Sequence, residues 1–392
     1  MTPAAKPLGL YLHYPWCVRR CGYCDFNAHV AATPPQEEYF AALRAELRSW
    51  RQRLGPRRLA TVFIGGGTPS LAPPHLVAEL LAEAAGLFSL AADAEITLEA
   101  NPDSFSESQA AGFAAAGVNR VSVGVQSFDD GLLQTLGRAH DGATARAALE
   151  RALRLFDRAN ADLMYALPGQ DAALALTDVA QAEACGLRHL SCYHLMLEPG
   201  TPFAKAPPAN LPDPDAAADV EDAVHAQLAA RGWERYEVSA WGRGGDRCRH
   251  NLGYWEFGDY LGVGAGAHGK ITEADGTAWR WSNPRTPRGY LAACRRGAPG
   301  RGRRVPAADL AFEFMLNALR LARGFSAAQF EQATGQGIEA VAPQLAAAAA
   351  RGWLRPEADG WRPTRRGFDL LQDLCALFVP EPPRRRIALQ AA

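Results

Sequence analysis

The chain has 392 residues, 48% of them apolar and 21% charged, and a formal net charge of −1. That length allows two or three domains at about 150 residues each, and the composition is that of a globular chain. The balanced charge gives no reason to expect nucleic acid or an anionic membrane as main partner, and no apolar run approaches the roughly 20 residues of a membrane span.

The opening MTPAAKPLGLYLHYPW carries one lysine and a broken, aromatic-rich apolar stretch. It does not read as a secretory signal, so the cytoplasm is the expected compartment. In chain order, β-branched or aromatic runs at 8–14, 60–64, 95–99, 120–125, 161–166 and 188–193 predict strands. Ala/Leu-rich stretches of helical period at 35–53, 72–86, 105–116, 141–159 and 171–185 alternate with them. Helix start signals stand at Pro73-Pro74, Asp103-Ser104 and Asp141-Gly142. The alternation predicts an α/β fold of parallel strands, either an open doubly wound sheet or an incomplete barrel. In both, ligands collect at the C-terminal ends of the strands.

Beyond the last of these units the character changes. Residues 199–216 are proline-rich and read as a crossing loop, followed by a helix to about 230 and a strand at 236–241. Residues 242–304 are rich in Gly, Arg and Trp with little periodicity. Residues 306–380 read as helices, a short hairpin and a further helix, a small winged-helix-like α+β domain. With the charge balanced, its expected role is structural or substrate-covering rather than DNA-binding. Basic clusters at 301–304 and 384–386 read as solvated loop and tail. The expected division is 1–240, 241–304 and 305–392.

Eight cysteines in so long a chain do not make a disulfide framework, and Cys185, Cys192, Cys248, Cys294 and Cys375 read as small buried apolar residues. Cys17, Cys21 and Cys24 differ, because they form C-x3-C-x2-C directly after the first strand. Thiolates are soft ligands suited to iron, and a short irregular loop can wrap three of them around one iron–sulfur cube. One iron then keeps an open position. Zinc is the rival, with His13 and His29 near enough in sequence to complete a set of four ligands.

With Tyr23 as its aromatic residue, this motif resembles the signature of the radical S-adenosylmethionine superfamily, and Gly65-Gly66-Gly67-Thr68-Pro69 resembles the family's GGGTP turn. The stretches YLHYPWCVRRCGYCDF, FIGGGTPSL, LEANPDS, NRVSVGVQSF, LGRAH, DLMYALPGQ and LSCYHLMLEPGTPF resemble the coproporphyrinogen III dehydrogenase branch, and within it haem chaperones of the HemW type. The resemblance implies a partial (β/α)6 barrel over 1–240, a [4Fe–4S] cluster on Cys17, Cys21 and Cys24, and S-adenosylmethionine at the open iron. It implies that Tyr11, Tyr23, Gly66, Gly67, Thr68, Glu99, Gln126, Arg138 and Asp162 line the cofactor pocket.

Two positions separate a chaperone from an enzyme of that branch. The dehydrogenases carry a fourth cysteine two residues after the third, where this chain has Phe26. His250-Asn-Leu-Gly-Tyr254-Trp255 resembles the HNxxYW motif of the chaperones. It makes 241–304 the expected haem segment and His250 the expected iron ligand, with Cys248 an alternate. The implied function is binding of haem and its transfer to acceptor haemoproteins. A reduced flavodoxin or ferredoxin-type protein is the implied electron donor, and any membrane contact is peripheral, for delivery. The alternative is an oxygen-independent coproporphyrinogen III oxidase of porphyrin biosynthesis. Residues 264–270, GAGAHGK, also have the spacing of a phosphate-binding loop, but Ile271 stands where Ser or Thr should hold magnesium. That stretch reads as a tight turn.

Overall fold

The β-branched and aromatic runs become β1 (Leu8–Tyr14), β2 (Arg58–Gly66), β3 (Ser89–Ala100), β4 (Arg120–Gln126), β5 (Arg158–Tyr165) and β6 (His189–His194) in the computed structural model, which describes residues 7–380. They pair in parallel in chain order. Parallel neighbours need a crossover, and helices supply it. These are α1 (Gln36–Leu54), α2 (Pro74–Leu87), α3 (Glu107–Ala115), α4 (Asp130–Leu136), α5 (Gly142–Leu155) and α6 (Ala172–Ala184).

Local chemistry fixes where those helices begin. Ser106, Asp129, Asp141 and Asp171 each accept a hydrogen bond from a backbone N–H of the first turn, satisfying donors that have no partner within the helix. Of these six helices, α4 is the one absent from the sequence reading. Its seven residues are too few for a helical period to show.

Side-chain alternation divides the strands into two faces. Leu8, Leu10 and Leu12 lie on the outer face, in one apolar layer with Leu43 and Leu47 of α1 and Leu76, Val77 and Leu80 of α2. The opposite residues in register are Gly9, Tyr11 and His13 on β1, then Thr61, Phe63 and Gly65 on β2. Glu95 and Thr97 continue this face on β3, Arg120 and Ser122 on β4, Asn160 on β5 and His189 on β6. The inner face of this partial (β/α)6 barrel is therefore polar.

The sheet does not end with six strands. After α7 (Pro214–Ala230), β7 (Glu234–Arg235) and β8 (Ala240–Gly242) add an antiparallel edge to β6, where one strand at 236–241 was expected. At the other edge β9 (Asp259–Val263) pairs in parallel with β1, and β10 (His268–Thr272), β11 (Ala278–Ser282) and β12 (Arg301–Arg304) follow. The region 242–304, expected to be aperiodic, thus holds strands of four and five residues. Runs that short carry almost no period of their own. Residues 301–304, read as loop, form the exposed strand β12; residues 384–386 lie outside the described residues.

The stretch 264–270, read as a tight turn, is a turn running into β10. Lys270 is buried on β10, where its ammonium donates to Asp259 Oδ1 at 3.1 Å and Thr272 Oγ1 at 3.1 Å. The turn before it is organised by Glu46 of α1. Its carboxylate accepts from the Gly264 N–H at 3.0 Å, Asn283 Nδ2 at 2.9 Å and the Tyr290 hydroxyl at 2.7 Å.

A second compact unit runs from Arg304 onward and includes 255–257 and 273–277. Its order is α8 (Ala307–Ala318), β13 (Phe325–Ser326), α9 (Ala327–Thr334), α10 (Ala342–Ala350), then the hairpin β14 (Leu354–Pro356) and β15 (Gly360–Pro363). β13 completes a three-stranded sheet on β15. This is a winged-helix order, packed around the edge-to-face rings of Phe314, Phe325 and Phe330. No helix of the described residues is long and apolar enough to cross a membrane.

Removing Lys270 would leave the buried Asp259 carboxylate with Arg57 as its charged neighbour at 3.2 Å. Lys270→Ala is expected to destabilise the first unit by about 3 kcal/mol, read as a lower urea midpoint.

Candidate functional site

Parallel strands deliver their following loops to one rim, and the expected site residues lie there. Strand β1 runs into a loop carrying Cys17, Cys21 and Cys24, all half-buried and free. Trp16–Cys17 forms a short parallel ladder with His29–Val30, closing the loop on itself. Phe203 seals one side. A Cβ at Gly22 would lie 2.2 Å from its ring, and the Phe203 N–H donates to the Gly22 carbonyl at 3.0 Å.

The glycine turn after β2 is clamped to the cysteine loop. The Gly67 N–H donates to the Tyr14 carbonyl at 2.7 Å, and the Thr68 N–H to the Trp16 carbonyl at 2.8 Å. Gly66 has φ +121, and a Cβ there would lie 2.5 Å from the His13 ring. Only glycine fits both conditions. Its N–H donates to Glu99 Oε2 at 3.0 Å.

One hydrogen-bonded chain then joins two cysteines. Thr68 Oγ1 donates to Cys17 Sγ at 3.3 Å and accepts from Asn101 Nδ2 at 3.3 Å. Asn101 Oδ1 accepts from Arg138 Nη2 at 2.8 Å, and Arg138 Nη1 reaches Cys21 Sγ at 3.7 Å. Arg138 Nη2 also donates to the Gly124 carbonyl at 2.8 Å, while Nη1 stands 3.5 Å from the Tyr23 hydroxyl. The Arg138 Nε is buried without a hydrogen-bond partner.

The remaining expected residues line the inner face below. Gln126, buried at the end of β4, has φ +69 beside a register shift, and its Oε1 accepts from the Tyr193 hydroxyl at 2.8 Å. A non-glycine residue held there is a strained strand end, a feature that clusters at functional sites. The Tyr11 hydroxyl donates to His13 Nδ1 at 2.9 Å, and His13 Nε2 donates to the Asn27 carbonyl at 3.0 Å. Burial pulls the His13 imidazole down to about 4, so it is neutral at pH 7 and its proton sits on Nε2. Asp162 is held deeper, accepting from Asn160 Nδ2 at 2.8 Å and Ser122 Oγ at 3.3 Å. Burial and then the charge of Asp162 push the Glu99 carboxyl up to about 7.

The donor set fits an iron–sulfur cluster and a small zwitterion. Burial pushes the Cys17 and Cys24 thiols up, so they stay protonated until a metal displaces the protons. Thr68 and Arg138 offer donors to thiolate sulfur, and Arg138 Nε is an unspent buried donor suited to an anionic group. Among the described residues no three His, Cys, Asp or Glu side chains converge on a single-ion site. A cube takes one thiolate per iron, so its ligands stand apart.

His250, the expected haem ligand, lies apart from this rim. It is 2% exposed, Nδ1 lies 2.8 Å from Thr61 Oγ1, Nε2 lies 2.8 Å from the Tyr254 hydroxyl, and the ring stacks on Phe63 at 5.2 Å. Both nitrogens are engaged by side-chain hydroxyls inside the barrel. Cys248 is also buried, its N–H on the Tyr236 hydroxyl and its thiol near Glu95. Of the HNxxYW residues His250 is the buried one, and its N–H donates to Glu95 Oε1 at 3.0 Å. Asn101, Asn27 and Tyr193 were not expected at the site, and His13 was expected there only as a ligand for the rival zinc. Asn101 stands in the quoted LEANPDS stretch, which was its one signal.

Residues 11–174 match the family model of the radical SAM superfamily, and residues 305–370 that of the HemN C-terminal domain. The chain is 42% identical over 377 residues to heme chaperone HemW of Escherichia coli (strain K12), covering 96% of this chain and 99% of that protein. It is 40% identical to heme chaperone HemW of Haemophilus influenzae, covering 97% and 100% respectively. The structure of coproporphyrinogen III oxidase (HemN) from Escherichia coli, a radical SAM enzyme, superposes with a TM-score of 0.82 at 24% identity over 96% of this chain and 91% of that one. That likeness shows a shared fold.

Because the folded Glu99 carboxyl titrates near 7 against its usual 4.5, the native state binds the extra proton and stability falls as pH rises between those values. The loss is at most about 3 kcal/mol, at 1.36 kcal/mol per pH unit. Glu99→Gln is expected to flatten this slope, measured as the urea midpoint of cofactor-free protein from pH 4.5 to 7.5.

Proposed function

The chain belongs to the radical SAM superfamily and, within it, to the family of the heme chaperone HemW, and from that premise we propose that it binds haem and passes it to acceptor haemoproteins. The observation that carries this reading is identity of 40% and 42% to two heme chaperones across nearly the whole of each chain. Phe26, 59% exposed, supports it, standing where the resembling dehydrogenases have a fourth cysteine.

In this reading Cys17, Cys21 and Cys24 would hold a [4Fe–4S] cluster. Residues 65–68 with Tyr11, Tyr23, Glu99, Gln126, Arg138 and Asp162 would surround S-adenosylmethionine. Bound together, the two supply one-electron chemistry. The chain's own part is electrostatic and positional. Arg138 and Thr68 place donors against Cys21 and Cys17, offsetting thiolate charge. The clamp between the glycine turn and the cysteine loop holds the two halves of the site in register. Gly66 donates to Glu99, leaving the other carboxylate oxygen as an acceptor for an ammonium or hydroxyl. The reading places the protein in the cytoplasm, with a flavodoxin or ferredoxin-type protein as electron donor.

Two measurements test this. The triple variant Cys17→Ala, Cys21→Ala, Cys24→Ala is expected to lose iron and sulfide after anaerobic reconstitution, while the parent holds about four of each, as a cube requires. Haem-loaded parent is expected to transfer haem to an apo-haemoprotein, followed by the acceptor's absorbance band. Conversion of coproporphyrinogen III to protoporphyrinogen would instead establish the oxidase.

A further inference from the structure

His250 and Cys248 are enclosed, and the outer face of β6 offers haem a more open place. Tyr193 turns into the barrel toward Gln126, so by alternation His194 turns outward, toward α7. There a cavity of about 550 Å³ opens between the segment after β6 and the start of α7, lined by His194, Met196, Leu197, Leu211, Pro214 and Glu221 among others. That volume lies within the roughly 300–1,000 Å³ of small-molecule and cofactor pockets.

Three features single it out. Met196 and Leu197 are 50% and 37% exposed, an apolar wall left open to water. His194 is half-buried with its ring edge-on to Tyr165 at 5.9 Å, and neither of its nitrogens bonds to any described residue. By contrast His13, His140, His189 and His250 each spend at least one ring nitrogen inside the fold. Burial lowers the His194 imidazole below its ordinary value, so at neutral pH it is in the neutral form that ligates metal. The wall is also fixed in place. The Leu195 N–H donates to the Tyr165 carbonyl at 3.1 Å, and the Gly169 N–H ties the Asn210 carbonyl at 2.7 Å.

We propose that this cavity seats haem, with His194 as the iron ligand and Met196 and Leu197 as apolar wall against the macrocycle. The proposal rests on the haem-binding reading above and gives it a place. Coordination replaces a water on haem iron by an imidazole nitrogen, with no electron transferred. Glu221 makes the wall anionic at one point, so the haem propionates face the open side and water.

Haemin titrated into the full-length chain, followed by its Soret band, decides the matter. His194→Ala is expected to weaken binding at least about tenfold and shift the band. Ala218→Trp, which fills the cavity from α7 while keeping His194, is expected to weaken binding similarly, and His250→Ala to keep the parental band. Circular dichroism and iron content matching the parent show that each variant is folded. If His194→Ala and Ala218→Trp both bind haemin with the parental affinity and band, this site is wrong and the chaperone reading stands. If the parent itself takes up no haemin, that reading fails and the site with it.

Discussion

Every β→α loop of the first unit emerges at one rim because β1 to β6 run parallel in chain order. A parallel ladder allows no short return, so each strand is followed by a helix on the outside and the next strand starts from the far end. Cys17, Gly66, Glu99, Gln126 and Asp162 come from five strands or the loops after them, far apart in sequence, and the ladder brings them to one place. It turns a run of separated motifs into one wall, and it leaves the loops free to specialise without disturbing the apolar layer behind them.

Partnership of polar groups governs the barrel interior. A strand face turned inward cannot keep polar atoms unless each finds a partner, since an unpaired buried group costs about 1–3 kcal/mol. Near the strand starts, Glu95 accepts from the N–H groups of Arg249 and His250 and pairs with Arg158 at 2.6 Å. His189 lies 2.6 Å from Asn160 Oδ1 and 2.8 Å from the Tyr236 hydroxyl. Higher up the satisfaction thins. Tyr11, Glu99, Asp162, Tyr193 and Arg138 are half-buried. A polar interior that is closed at one end and half open at the other is a site with a built floor.

The floor explains the fate of the HNxxYW motif. Its histidine adds a second ring to Phe63 and bonds Thr61, while its backbone N–H caps Glu95. These are packing and hydrogen-bonding duties at the base of the barrel interior.

Much of this was legible from residue order alone. Six strand runs, five of the helices, the cysteine loop and the glycine turn could be read because each is local: a period of two, a period near 3.6, a cap, a spacing. The family too was legible, since its motifs are contiguous. Tertiary structure decided what depends on which face lies inward and what stands across it. Alternation says that Tyr193 and His194 point apart, but not that one meets Gln126 and the other an open cavity. Nothing local tells that Asn101 bridges Thr68 and Arg138, that Lys270 is spent on Asp259, or that five-residue strands at 259–282 extend the sheet. Each of these is a pairing between residues distant in sequence. The chain order lists the donors and acceptors, and only closure of the barrel chooses who meets whom.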